Sequence, residues 1–249
     1  MSFRHPLILD IARREGRVTA QGLAAALGVT VQTIRRDLAD LAEAGRLTRV
    51  HGGAVLPSGV TNIGYGDRRV LEAEAKERIA ARAAQEVPDR ASVFLNIGTT
   101  TEAVAHALRA HEELMVVTNN LNVASLLSET RAQVIVTGGT LRRADGGLVG
   151  PIAAAAVDRF KVDLAIVGCS ALDAEGDLLD FDPGEVEVAQ AVLRQARRRI
   201  LVADGTKLGR KAPVRIASLA QVDLWVTDRQ PPAALLALCD GWGTRVEVV

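Results

Sequence analysis

The sequence predicts an α/β protein in two parts, an N-terminal winged helix-turn-helix followed by a larger, mostly parallel α/β domain. Three observations lead there. Two hydroxyl-capped helical stretches meet at Gly28-Val29, the pattern of a helix-turn-helix. Two β-rich runs follow around Gly52-Gly53, as a hairpin wing requires. From Ala91 onward a short apolar run, a Gly/Thr/Ser/Asn loop and a helical segment recur in turn, which implies a covered parallel sheet.

The first helix runs over Pro6 to Glu15, with Leu7, Ile8, Ile11 and Ala12 on its inner face. Thr19 is placed to cap a second helix ending at Leu27, and Thr30 to cap a third. In the third helix Val31, Ile34, Leu38 and Leu41 recur at steps of three and four, which turns one face inward. Gln32, Thr33, Arg35 and Arg36 then lie outward, and Asp37, Asp40 and Glu43 fill the second half before Gly45 ends it. Only the N-terminal half suits a polyanion, and recognition helices enter the major groove by that half. Two exposed arginines on an amphipathic helix usually mean a solvated face; the helix-turn-helix spacing and the wing over Leu47 to Val55 favour DNA instead. We expect Gln32, Thr33, Arg35 and Arg36 to reach bases or nearby phosphates, and Arg49 and His51 to hold the wing to the backbone or minor groove. Thr19, Thr30, Gly52 and Gly53 complete the expected contact set.

The chain has 249 residues and no formal net charge. Residues 1–56 hold eight Arg against five Asp or Glu. So modest a surplus implies that affinity for double-stranded operator DNA comes from a homo-oligomer, dimer or tetramer, presenting two modules to one site. Cys169 and Cys239, far apart in apolar surroundings, read as reduced thiols of a cytoplasmic protein. The histidines have no metal-ligand spacing with either cysteine, so no metal site is expected. With no apolar run long enough to span a bilayer, no membrane partner is expected either.

Residues 1–57 are assigned to the winged domain, 58–69 to a linker rich in Gly, Pro and small polar residues, and 70–249 to the α/β domain. A long polar helix is expected over Val70 to Glu86. Strands are expected at Ser92–Leu95, Leu114–Val117, Val134–Thr137, Leu164–Val167, Ile200–Ala203, Leu224–Thr227 and Val246–Val249, and a hairpin arm at Leu141–Val149.

Ligands of open α/β sheets sit at the carboxyl ends of the strands. There the sequence places Asn96-Ile97-Gly98-Thr99-Thr100-Thr101, directly between a strand and a helix. Its hydroxyls and first free amides could cradle a phosphate, although plain helix capping explains such a loop equally well. It is neither a Walker A loop nor a dinucleotide fingerprint. Other strand ends offer Asn119 and Asn120, Gly138 and Gly139, and Lys207 as a counter-charge. Asp180, Asp182 and Glu185 could take polyol hydroxyls, or could belong to a solvated loop entering a helix.

Thr33-Ile34-Arg35-Arg36-Asp37-Leu38, His51-Gly52-Gly53-Ala54, Gly98-Thr99-Thr100, Val117-Thr118-Asn119, Gly138-Gly139 and Lys207-Leu208-Gly209-Arg210 together resemble the DeoR-type bacterial repressors over essentially the whole chain. The resemblance implies a winged helix-turn-helix joined to an effector-sensing and oligomerising domain whose fold is similar to sugar-phosphate isomerases. Gly176-Asp177-Leu178-Leu179-Asp180-Phe181-Asp182 and Asp145-Gly146-Gly147 resemble the branch answering to glycerol 3-phosphate. It therefore implies a phosphorylated effector, glycerol 3-phosphate or another phosphorylated sugar or polyol, and no cofactor. An isomerase-like enzyme is the competing class, because Asp180, Asp182, Glu185 and Lys207 are acid–base types. Two departures from the family pattern, Asn96 in place of Asp and Ala189-Gln190 in place of a basic pair, are expected to change which polyol fits.

Overall fold

The computed structural model describes residues 4–15, 17–55 and 64–249. The chain divides into two compact units between Leu71 and Glu72. Residues 58–63 of the expected linker lie outside the described residues.

In the first unit, α1 (Arg4–Glu15), α2 (Ala20–Leu27) and α3 (Val31–Glu43) surround Ile8, Leu23, Ile34 and Leu38, each 2% exposed or less. The Thr19 hydroxyl accepts from Gly22 N at 3.0 Å and that of Thr30 from Thr33 N at 3.1 Å, so both expected caps form. Between them Gly28 takes φ 64°, a left-handed turn that glycine adopts without steric cost. The wing is β2 (Thr48–Val50) and β3 (Gly53–Val55), and β1 (Arg17–Thr19) adds a third strand that the sequence reading missed. Gly53 is demanded by that third strand: a Cβ there would stand 1.9 Å from the Val18 carbonyl oxygen. The last turns of the expected linker form α4 (Tyr65–Val70). The long helix expected from Val70 begins later, as α5 (Ala73–Ala84), because Glu72 turns left-handed at φ 54°.

In the second unit, seven parallel strands run in the order β15-β14-β12-β9-β4-β5-β6. They are β4 (Ser92–Leu95), β5 (Met115–Thr118), β6 (Gln133–Val136), β9 (Val162–Val167), β12 (Ala196–Val202), β14 (Leu224–Thr227) and β15 (Arg245–Val248). Phe94, Leu95, Ile166, Val167, Leu201 and Trp225 are all 1% exposed or less, as expected where both faces of a parallel sheet are covered. The covering helices are α5, α6 (Thr99–Ala107), α7 (Leu121–Leu127), α8 (Pro151–Val157), α9 (Pro183–Arg194) and α10 (Ala233–Trp242). From β4 the chain steps one way to β5 and β6, then returns to β9 and steps the other way. The strand order therefore reverses between β4 and β9, the position at whose carboxyl side open α/β sheets generally take their ligands.

Two smaller sheets complete the unit. The expected arm is present as β7 (Thr140–Arg142) paired with β8 (Gly147–Val149). An antiparallel sheet of β10 (Ala171–Leu172), β11 (Asp177–Asp180) and β13 (Val214–Ser218) was not foreseen. The acidic stretch read as a loop is thus partly a strand, with Leu178 and Asp180 buried and Asp177 and Leu179 half-buried. No helix among the described residues is long and apolar enough to cross a membrane.

Candidate functional site

On the first unit, Gln32, Arg35 and Arg36 are exposed along the start of α3, and Thr19, Thr30, Arg49, His51 and Gly52 are exposed beside it and on the wing. Thr33 is half-buried, its hydroxyl 2.9 Å from that of Thr30. Two placements differ from expectation. Gly53 is buried and packs against β1, so it shapes the wing rather than presenting itself. Asp37 turns inward, only 3% exposed, where Arg4 donates to it through Nε at 2.6 Å and Nη2 at 3.2 Å. Arg4 holds that carboxyl below its ordinary range in spite of burial. The acid adjoining Arg35 and Arg36 is thereby neutralised from within, which leaves the helix start electropositive.

The same inward turn gathers His5, Asp37 and Asp40, whose ligand atoms lie within 4.8 Å of one another. Arg4 already holds both Asp37 oxygens, and its guanidinium would repel a metal cation there.

On the second unit, the loop after β4 turns at Gly98, with φ 144° and the Thr101 hydroxyl 3.2 Å from where a Cβ would stand. Thr100 and Thr101 are buried, and the Thr101 hydroxyl donates to Gly98 O at 2.7 Å, which commits it to the loop's own turn. Asn96 is 1% exposed and Asn119 0%. They follow directly on Leu95 and Thr118, which face each other across β4 and β5. Among the described residues neither Oδ1 has a hydrogen-bond partner. Asn120 is different. It caps α7 by accepting from Asn122 N at 2.9 Å and donates to Glu102 at 3.1 Å, so it is a structural residue. Gly139 also serves packing, since a Cβ there would lie 2.9 Å from that of Ala153; Gly138 has open space.

Across the strand reversal, Cys169 and Ser170 follow β9, and a 3-10 turn over Gly205–Lys207 follows β12. Asp204 caps that turn by accepting from Thr206 N at 3.0 Å. Burial pushes the Asp204 carboxyl up, but Lys207, the Thr206 hydroxyl and Lys76 together hold it below its usual range. Burial also raises the Cys169 thiol to about 12, with Lys207 and Arg210 acting against it and Asp180 with it. Lys207, 9% exposed, and Lys76, 4% exposed, are thus two buried lysines at one edge of the sheet. Sequence reasoning missed Lys76. It lies in the first turn of α5, and a lysine in a polar helix gives no sign of burial until the helix start is seen beside β12 and β14.

Asp182 and Glu185 do not join this group as free carboxylates. Arg142 donates to Asp182 at 2.7 Å and to Glu185 at 2.7 Å, and it holds Asp145 at 2.7 and 2.9 Å. Asp182 additionally caps α9 by accepting from Gly184 N at 2.8 Å. Asp180 stays buried and accepts from Phe181 N at 2.6 Å. Ala189 is a core residue, and Gln190 donates to the carbonyls of Arg215 and Ile216 at 3.3 Å each. Gln190 lines a separate cleft of about 620 Å³ with Lys161, Arg194, Arg199 and Arg215.

Residues 71–229 match the DeoR C terminal sensor domain and residues 4–60 the DeoR-like helix-turn-helix domain. The chain is 42% identical over 246 residues to a glycerol-3-phosphate regulon repressor of Escherichia coli, covering 98% of each. It is 42% identical to one of Haemophilus influenzae, covering 96% of this chain and 98% of that one. The HTH-type transcriptional repressor CsqR of E. coli is 41% identical, covering 93% of this chain and 89% of the relative. Among solved structures, ribose 5-phosphate isomerase A of Methanocaldococcus jannaschii superposes on 56% of either chain with a TM-score of 0.41 at 15% identity, too remote to bear on function. With both family domains present and full-length relatives above 40% identity, the chain belongs to the DeoR family of helix-turn-helix transcriptional repressors.

Proposed function

We propose that the sensor unit binds a phosphorylated small metabolite, glycerol 3-phosphate foremost, and that binding loosens the grip of the first unit on operator DNA. The observation that carries this reading is the pair of buried lysines, Lys76 and Lys207, beside Asp204 at the carboxyl edge of the sheet. Burying an ammonium is costly unless negative charge meets it. The Gly98 loop at the start of α6 adds amides oriented for an anion. The names of the relatives above supply the identity of the metabolite.

The site reads as one that binds without turning over, because Asp182 and Glu185, two of the expected acid–base groups, are committed to Arg142. On the first unit, Gln32, Arg35, Arg36, Arg49 and His51 are the residues assigned to DNA. A homo-oligomer in the cytoplasm would present two such faces to a repeated operator. The ligand acts only if it prefers the arrangement that does not hold DNA, since equal affinity for both shifts nothing.

Fluorescence anisotropy of labelled operator DNA tests this directly. Glycerol 3-phosphate should lower the affinity for operator and raise the melting temperature of the protein. If it changes neither, glycerol 3-phosphate is not the effector.

A further inference from the structure

We infer that the side-chain oxygens of Asn96 and Asn119 are an acceptor pair for two hydroxyl protons of the effector, so that the site selects a polyol phosphate over the ketone of the same carbon skeleton. This rests on the reading above that a small phosphate ester binds at the carboxyl ends of the strands, where the Gly98 loop and Lys207 lie.

Both side chains are more than nine-tenths buried, and neither Oδ1 meets a donor among the described residues. Such groups are rare inside proteins because an unmet buried acceptor costs free energy. The orientation of the Asn119 amide is set by its own contact: Nδ2 donates to Leu148 O at 3.0 Å, which leaves Oδ1 as the acceptor. Asn96 is held by its main chain, whose N–H donates to Ile166 O at 3.2 Å across to β9. The two residues end neighbouring parallel strands, one step beyond the registered pair Leu95 and Thr118. They therefore emerge at one corner of the sheet, beside the Gly98 loop. Two neutral acceptors suit a partner that offers donors and carries its charge elsewhere.

Glycerol 3-phosphate carries two adjacent hydroxyls and places its phosphate on the third carbon. Dihydroxyacetone phosphate replaces the central hydroxyl with a carbonyl, which only accepts. One asparagine oxygen would then face another acceptor across the site. A site built to hydrogen-bond a hydroxyl discriminates strongly against an analogue that lacks it.

The test is calorimetric titration of the full chain with glycerol 3-phosphate, dihydroxyacetone phosphate, inorganic phosphate and glycerol, alongside Asn96→Val. The unsubstituted protein should bind glycerol 3-phosphate at least about tenfold more tightly than dihydroxyacetone phosphate. Asn96→Val should bring the two esters to within about twofold of each other, chiefly by weakening the first. Equal affinity of the unsubstituted protein for both esters overturns the acceptor pair while leaving the phosphate site standing, and this comparison does not depend on any variant folding. Retention of the full preference by a folded Asn96→Val also overturns the role of Asn96. If no ester binds and operator affinity never changes, the proposed effector site itself fails, and the acceptor pair with it.

Discussion

Arg142, on the β7–β8 arm, donates through Nη1 to Asp182 at 2.7 Å, joining the arm to the residue that caps α9. The same guanidinium reaches Asp145 and Glu185, so one cation, its side chain 23% exposed, serves three carboxylates. Burial acts against the charge of Arg142, and the carboxylates overcome it and raise the pKa. Arg142→Ala should leave Asp145 and Glu185 without that compensation and destabilise the sensor unit by about 3 kcal/mol. Thermal unfolding followed by circular dichroism would read this; an unchanged sensor transition would show that the carboxylates reorganise to solvent without cost.

Arg35→Ala removes an exposed group at the start of α3 and should leave the melting temperature unchanged. Operator affinity should fall by about 1 to 3 kcal/mol if the guanidinium makes a bidentate base contact. An equal loss on unrelated DNA would move Arg35 from base reading to phosphate anchoring, and no loss on either would remove it from the interface.

The parts of the fold legible in the sequence are those with local causes. Thr19 and Thr30 reveal their helices because a hydroxyl cap is written within four residues of the amide it serves. The parallel strands announce themselves as apolar runs, since both of their faces are covered. The groups that sequence reading misplaced depend on partners far along the chain: Asp37 faces Arg4 across 33 residues, and Arg142 faces Glu185 across 43. Nothing near Asp182 indicates that its charge is taken, nor does anything near Lys76 indicate that it is buried. The strand β11 was hidden for a related reason. Its Asp180 points inward, so the alternation of apolar and polar residues that marks a strand is broken by a buried acid.

Glu86 provides a pH test. It meets Arg82, Arg198 and Arg245, the last at 2.7 Å. Burial raises its pKa, but the arginines overcome that and lower it from 4.5 to about 2. Because the folded value lies below the unfolded one, the stabilisation is complete above pH 4.5 and is lost as pH falls toward about 2. Two of the arginines are well exposed, so screening reduces the contribution to about 1 kcal/mol. Glu86→Gln should therefore cost about that much at pH 7, and the difference from the unsubstituted protein should disappear in strong acid. Urea unfolding across this range measures it, and a difference independent of pH would mean that the ion cluster contributes nothing through its charge.

Lys76 decides whether the cationic edge of the sensor is a binding device or an internal brace. As a brace, it would act through its internal contacts, the balancing of Asp204 among them, and Lys76→Met would lower the melting temperature while leaving the concentration of glycerol 3-phosphate needed to release operator unchanged. As part of the effector site, it supplies one of the two buried ammonium groups there. Truncating one side of a buried charge pair commonly costs 2 kcal/mol or more, so the releasing concentration should rise by about tenfold or more. Operator affinity without effector should stay as it was, because the substitution lies wholly within the sensor unit. Measuring both quantities on the same preparation separates the roles, and a fall in melting temperature with an unmoved releasing concentration would assign Lys76 to structure alone.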